Sequence, residues 1–464
     1  MGAHANSLVL ALLVASAGFV VGWPAGVTCG MFRFRLRTVV LVALALPLLL
    51  PAFLWAIGLS MLRIKLELPD GPPFSGLTGC VWAQAGKAVG LAGFAALLSV
   101  RAITRSQADS AILAGGPQAL WRAAMRRAAP AALAAAALGG MMALSDSGAG
   151  ALLGWRTAAG DILAAFAARH DFAEAMRLCL QLALLALVPA LPLVALGTGT
   201  LEAAIAGRDS SRTWQASASG FGQRAGNSVA AAIAFLTLLP LLGLLTPAMH
   251  GLPLARAWQD VARTAGNTLT YGLGAGVLAT LAAWPLAVWT GRSIVRRRLM
   301  FGLMLASLAL PSVLPALAWI WVAGNSPASL DDLLRGKAAV CLVLAWRFLP
   351  VAFVLTLRRW AAFPPSWKMA AAVHGVPGWA FFWRVVVPHQ APGWLLAVTL
   401  SGLLACGEID IALLLHPPGE ASLPLAIFTV MANAPDTLVA ALCLLYLAAM
   451  LPLAMLSLCL SRIR

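Results

Sequence analysis

The chain has 464 residues, of which 61% are hydrophobic and only 10% charged, with a formal net charge of +16. A soluble domain carries roughly 25% charged residues, so this composition excludes an ordinary soluble globular protein. A bilayer-spanning helix needs about 20 mostly apolar residues, and the chain offers many such runs.

Taken in chain order, apolar runs near 6–27, 38–61, 78–100, 130–151, 178–198, 229–249, 268–290, 299–323, 338–357, 390–414 and 436–460 predict eleven spanning helices. The first run resembles a signal peptide in position only. It lacks a basic leading region and is longer than a signal core, so it reads as a retained span; a helix encoded upstream would make twelve. The loops 28–37, 101–129, 199–228, 291–298 and 358–389 and the C-terminus together hold 21 of the 32 Lys and Arg, and the opposite loops hold nine. Basic loops stay on the cytoplasmic side, so the sequence predicts a multi-pass membrane protein with its N-terminus outside and its C-terminus cytoplasmic. Positive charge spread over alternate short loops does not make a nucleic-acid arm. The seven cysteines, with no CxxC pair, and the six dispersed histidines suggest packing residues and no metal site. No cofactor is implied.

The sequence repeats itself. "GWPAGVTCGMFRFR" at Gly22 matches "AWPLAVWTGRSIVRR" at Ala283, and "LPLLLPAFLWAIG" at Leu46 matches "LPSVLPALAWIWV" at Leu310. Trp121-Arg122 matches Trp383-Arg384, and Asp146 matches Glu408; all four spacings fall within three residues of one another. Both copies keep the same loops on the basic side. The expected organisation is therefore two parallel halves related by a pseudo-twofold axis along the membrane normal. Residues 1–206 form a first half of about five helices, 207–228 a cytoplasmic linker, and 229–464 a second half of about six. Such pairing points to a pathway between the halves, against the plainer reading of a duplicated scaffold.

The long basic loop of each half carries unusual punctuation. "WKMAAAVHGVPGWAFFWRVVVP" runs from Trp367 to Pro388, and a blurred copy, "DSAILAGGPQALWRAAMRRAAP", from Asp109 to Pro130. Ala370, Ala371 and Ala372 favour a short helix that Gly375 and Pro377 break. An apolar face with Phe381, Phe382 and Trp383 then suggests a covering partner or a helix lying in the lipid interface.

"MAAAVHG" followed by "VVVP", with Pro388 thirteen residues after Gly375, resembles the cytoplasmic signature of binding-protein-dependent ABC importer permeases: EAA, three residues, Gly, nine residues, then Ile-x-Leu-Pro. Ala370, Ala371, Gly375 and Pro388 fall in register, and Met369 stands where the glutamate belongs. In the first copy Asp109, Ser110, Ala111 and Gly115 fall in register, with Gly116 following. There, Pro130 comes two residues late. With "GEIDIALLLHPPGEASLPLAIFTV" from Gly407 to Val430, the fused pair of halves most resembles the iron(III)- and thiamine-type permeases. The resemblance implies an all-α polytopic membrane protein with the type I ABC importer (MetI-like) transmembrane fold. It further implies two copies of a cytoplasmic ABC ATPase subunit docked on segments 109–116 and 369–375, a periplasmic solute-binding protein, and contact with membrane lipid. No Walker A sequence is present, since Gly86-Lys87 is followed by alanine. ATP hydrolysis would belong to the partner, and the chain itself is not expected to be an enzyme.

Five charges fall inside apolar runs: Lys87, Asp146, Arg347, Glu408 and Asp410. Charges there are expensive and face a partner or a cavity. Asp146, Glu408 and Asp410 either line the translocation path or its gate, or pack structurally, paired with Lys87 and Arg347. The proline-stiffened loop "HPPGEASLP" from His416 reads either as an outer gate or docking edge or as a plain connection. Beside the importer reading stands an ion-coupled secondary transporter, which would use the same carboxylates and no ATPase. A membrane enzyme finds no clustered nucleophile and base.

Overall fold

The computed structural model describes residues 2–101, 103–206, 216–217, 220–291 and 293–460. Among them the chain is almost wholly helical, as a chain in lipid must be when every peptide group needs a partner inside the protein. The elements that matter here are α1 (Ala3–Met31), α2 (Arg37–Leu49), α3 (Ala52–Lys65), α4 (Gly76–Val100), α5 (Arg105–Ser145) and α6 (Phe172–Ala206). They continue as α7 (Gly220–Leu245), α8 (Leu254–Thr290), α9 (Ile294–Ala309), α10 (Val313–Gly324), α11 (Lys337–Ala361), α12 (Pro365–Val373), α13 (Val387–Cys406) and α14 (Asp436–Leu460). A two-residue parallel pairing of Phe32–Arg33 with Ala216–Ser217 is the extent of strand structure among the described residues.

Each of the eleven apolar runs overlies a helix, but four are not straight rods. Seven helices are long and apolar enough to span a membrane by themselves, and nine when two bent pairs are counted. The expected span 38–61 is α2 and α3, bent by 105°, and the expected span 299–323 is α9 and α10, bent by 85°. Proline causes both: Leu50 precedes Pro51 and Leu310 precedes Pro311, and both leucines are pushed into extended backbone. The runs 130–151 and 390–414 are each cut once. Helix α5 stops at Ser145 and a short helix restarts at Gly148–Leu153; α13 stops at Cys406 and restarts at Asp410–Leu415.

The linker expectation meets a difference. Residues 220–228 are the opening turns of α7, while 207–215 and 218–219 lie outside the described residues. Helix α7 also lies against α2 and α3 of the first half. Trp82 of α4 donates from Nε1 to the Leu236 carbonyl at 3.2 Å, and its ring meets Phe235 at 4.9 Å. The contact is closest where Gly58 of α3 faces Gly243 and Pro240 of α7. A Cβ on Gly58 would enter the Pro240 carbonyl, and one on Gly243 the Gly58 carbonyl. Lipid tails are as apolar as leucine, so such helices are held by close van der Waals packing of small residues rather than by escape from water.

Two later helices reach back toward the bent pairs. Cys179, Leu182 and Ala186 of α6 share a core with Val313 and Leu317 of α10, and Leu438–Met450 of α14 share one with Phe53–Met61 of α3. Outward ridges such as Leu180, Leu184 and Val188 on α6, and Leu273, Val277 and Leu281 on α8, are exposed at helical spacing and suit a lipid face. Six cysteines, all but Cys459, whose side chain lies outside the described residues, are buried and form no disulfide with one another.

Gly243→Val should push α7 off α3 and lower stability by about 1–3 kcal/mol, the usual effect of overpacking. It would be read as a fall in the thermal midpoint of the detergent-purified chain. Gly266→Ala, where a Cβ meets nothing within 4 Å, is the control; equal midpoints would show that the α3–α7 contact does not hold the helices.

Candidate functional site

Two regions collect the candidate residues. The first is where the cut helices meet. A cavity of about 30 Å³, room for about one water, is walled by Pro51, Ala52 and Phe53 of the first bend, Lys87 of α4, Asp146 and Gly148, and Gly407 to Asp410. Three of the sequence candidates, Asp146, Glu408 and Asp410, are thus brought into one site, together with the two helix breaks and a bend.

The breaks explain why the carboxylates sit here. Asp146 accepts the Ala149 N–H at 3.0 Å, satisfying an amide at the start of the helix Gly148–Leu153. Asp410 opens the matching helix Asp410–Leu415 and is 8% exposed. Its two oxygens accept the Ser147 hydroxyl at 2.6 Å and the Ser312 hydroxyl at 3.0 Å. Ser147 belongs to the first helix break and Ser312 to the second bend, so one carboxylate ties both to the second break. Glu408 is half-buried, and Arg347, Lys87 and Asp146 are all near enough to act on its charge.

The two in-membrane cations behave differently. Arg347 is 3% exposed and donates from Nη1 to the carbonyls of Leu308 at 2.9 Å and Leu310 at 2.6 Å, at the C-terminal end of α9. Lys87 forms no hydrogen bond or ion pair among the described residues. The pairing of Asp146 and Glu408 with these cations as contact ion pairs is therefore not what the structure shows; the carboxylate partners are hydroxyls and an amide. Ser147 and Ser312 were missed by sequence reasoning. The available signals were their places beside Asp146 and between Pro311 and Pro315.

The second region is the pair of exposed turns. Thr104 caps α5, its hydroxyl accepting the Gln107 N–H while the Gln107 side chain accepts the Thr104 N–H at 3.1 Å. The helix then carries Asp109, Ser110 and Ala111 to Gly115 and Gly116. Gly116 takes φ +69°, a left-handed conformation that favours glycine, before Pro117 restarts the helix. Helix α12 carries Met369, Ala370 and Ala371 to Gly375 at φ +64°, before Pro377 and the helix Gly378–Phe381. Gly116, rather than Gly115, thus shares the positive φ of Gly375; Gly115 is extended. Shortly ahead of each positive-φ glycine an aliphatic side chain points outward: Leu113, three residues before Gly116, is 89% exposed, and Val373, two residues before Gly375, is 84% exposed. Helix α12 buries no residue, Met369, Trp379 and Trp383 are exposed as well, and Pro388 is exposed in the first turn of α13. Phe382 instead packs on Trp284, ring to ring at 5.6 Å.

The loop from His416 is pinned. Tyr271 donates to the Glu420 carbonyl at 2.8 Å, Lys337 pairs with the Glu420 carboxylate at 3.1 Å, and the Leu423 N–H donates to Thr268 at 2.8 Å. It joins α8 and α11 as a rigid strap.

No curated protein matches the sequence significantly. Residues 272–463, from within α8 to the end of the chain's last helix, match the family described as binding-protein-dependent transport system inner membrane component. That stretch holds the second bend, the α12 turn, the second helix break and the pinned loop, so it is over these elements of a multi-pass membrane protein that the chain is similar to the inner membrane components of binding-protein-dependent transport systems.

Proposed function

We propose that the chain is the whole transmembrane unit of an ATP-driven importer, with residues 1–206 and 229–464 as its two halves. The observation that carries this reading is the twice-built exposed turn. A short helix ends in an outward aliphatic residue, Leu113 or Val373, followed by a left-handed glycine and a proline. Exposed apolar side chains in two similar turns, on the Lys/Arg-rich end of the helices, suit a partner groove. Two such turns take two copies of a cytoplasmic ABC ATPase subunit.

The motion follows from how the turns are attached. The first is continuous with α5, whose far end carries Asp146; the second leads through α13 to Glu408 and Asp410. Closing of two ATPase subunits on ATP draws the turns together, and α5 and α13 act as levers on the cavity at their far ends. A small solute, handed over by a periplasmic binding protein at the opposite end, passes between the halves there. The N-terminus then lies outside and the C-terminus in the cytoplasm of the inner membrane. Helix α7, seated on α3, straps the second half to the first.

Purification of the tagged chain from its native membrane, with native mass spectrometry, should find two ATPase copies per chain. Leu113→Asp and Val373→Asp should each lower ATPase recovery by about tenfold, since a carboxylate forced into an apolar groove loses its water without gaining a partner. A chain that purifies alone and drives uptake in vesicles under an ion gradient without ATP would hand the case to a secondary transporter.

The path assignment has its own test. Asp146→Gln combined with Glu408→Gln should abolish uptake in cells while the amount of protein in the membrane stays at the wild-type level; uptake at the normal rate would remove these two from the path.

A further inference from the structure

Each half sends one basic side chain toward its bent helix pair, and the two are used unequally. Lys87 and Arg347 stand 260 residues apart, on α4 and α11, one residue short of the 261–264 spacing of the sequence repeat. Arg347 closes the second bend: its guanidinium takes the Leu308 and Leu310 carbonyls, which the bend leaves without helical partners. A cation at a helix C-terminus also meets the negative end of the helix dipole. Lys87 occupies the same place at the first bend. Its neighbour Gly86 lies against Pro47, and the cavity it lines is walled by Pro51 and Ala52. Yet its ammonium donates to nothing among the described residues, although Asp146, Glu408 and Asp410 line the same cavity. The Leu49 carbonyl, near the end of α2, lies beside Gly407 at that cavity. Arginine's planar fork is suited to a fixed clamp; lysine's flexible stem and three rotatable donors suit a charge that changes partners.

We propose that Lys87 is the movable counter-charge of the path, passing between the open carbonyl end of α2 and the carboxylates Asp146 and Glu408, and that its engagement with the carboxylates seals the path. The assignment rests on the reading of the Asp146–Glu408 cavity as the path. Lys87, Asp146 and α2 belong to the first half and Glu408 to the second. Approach of the halves at this level lets Lys87 bridge them, and separation returns it to α2. Arg347 keeps its two carbonyls throughout.

The test needs neither the solute nor ATP. The full-length chain, with whatever subunits accompany it, is reconstituted into liposomes holding a thallium-quenched dye, and Tl⁺ entry is followed without nucleotide. Lys87→Met leaves three carboxylates facing the cavity without its lysine and should raise Tl⁺ entry by about tenfold, the scale of losing one poorly screened charge neighbour. Lys87→Arg should restore the seal, and Lys87→Met with Glu408→Gln should leak less than Lys87→Met alone. Lys87→Met liposomes as tight as wild type, from protein with a wild-type thermal midpoint, would overturn the proposal, as would a Lys87→Arg chain that leaks like Lys87→Met. So would failure of both Lys87→Met and Lys87→Gln to fold, because a side chain free to change partners is not needed to hold the fold. If Lys87→Met is tight while the Asp146/Glu408 double variant has lost uptake, only the Lys87 role falls; if that double variant transports normally, the path reading falls first.

Discussion

A peptide group at membrane depth has no water to turn to, so wherever a helix stops, the protein must supply the missing partner itself. This chain stops its helices four times inside expected spans, at Leu50–Pro51, Asp146–Ser147, Leu310–Ser312 and Gly407–Ile409. The answers are specific. Arg347 takes two carbonyls at the second bend, Asp146 takes an amide at the first break, and Ser147 and Ser312 both donate to Asp410. Asp410 therefore joins three of the four interruptions through one carboxylate. Irregular backbone in a membrane protein survives only where it is covered by protein or lines a cavity, and here it does both. The charges are at this level because the backbone openings are.

The same requirement makes the halves interdependent. Helix α6 packs on α10 beyond the second bend, α14 shares a core with α3 beyond the first, and α7 packs on α2 and α3. A bend whose backbone is exposed to lipid would be costly, so a half without its neighbour's last helix would leave polar groups uncovered.

Much of this was legible in the sequence where the chemistry is local. Trp-Pro and Leu-Pro pairs marked the repeat, and Gly375 with Pro377 marked a turn that needs a left-handed residue. Apolar length marked the helices, because composition alone decides whether a segment can sit in lipid. The cuts at Asp146 and Gly407 were not legible, since both runs stay apolar on either side and read as continuous. The start of α7 was missed for the opposite reason. Its Gly, Ser, Arg and Gln content reads as loop, and only tertiary packing, with Phe32 against Gly222 and Phe34 against Gly226, pulls it into helix. The partners of Asp410 lie 263 and 98 residues away in sequence, and no local pattern encodes such a meeting.

The substitution of Met369 for an acid looks, in sequence, like a defect in one of the two turns. The structure gives it less weight. Asp109, at the matching place in the first turn, already has Arg105 of its own helix at 3.7 Å, and both side chains are largely exposed. An exposed i,i+4 pair of this kind contributes only about 0.3–0.5 kcal/mol, but it partly answers the carboxylate before any partner arrives. Met369 presents an apolar, polarizable side chain with no charge to answer. What the two turns share comes after these positions: an outward aliphatic residue, then a glycine of positive φ, then a proline. A partner that reads shape and apolar surface meets nearly the same object twice, whichever residue stands at 109 or 369.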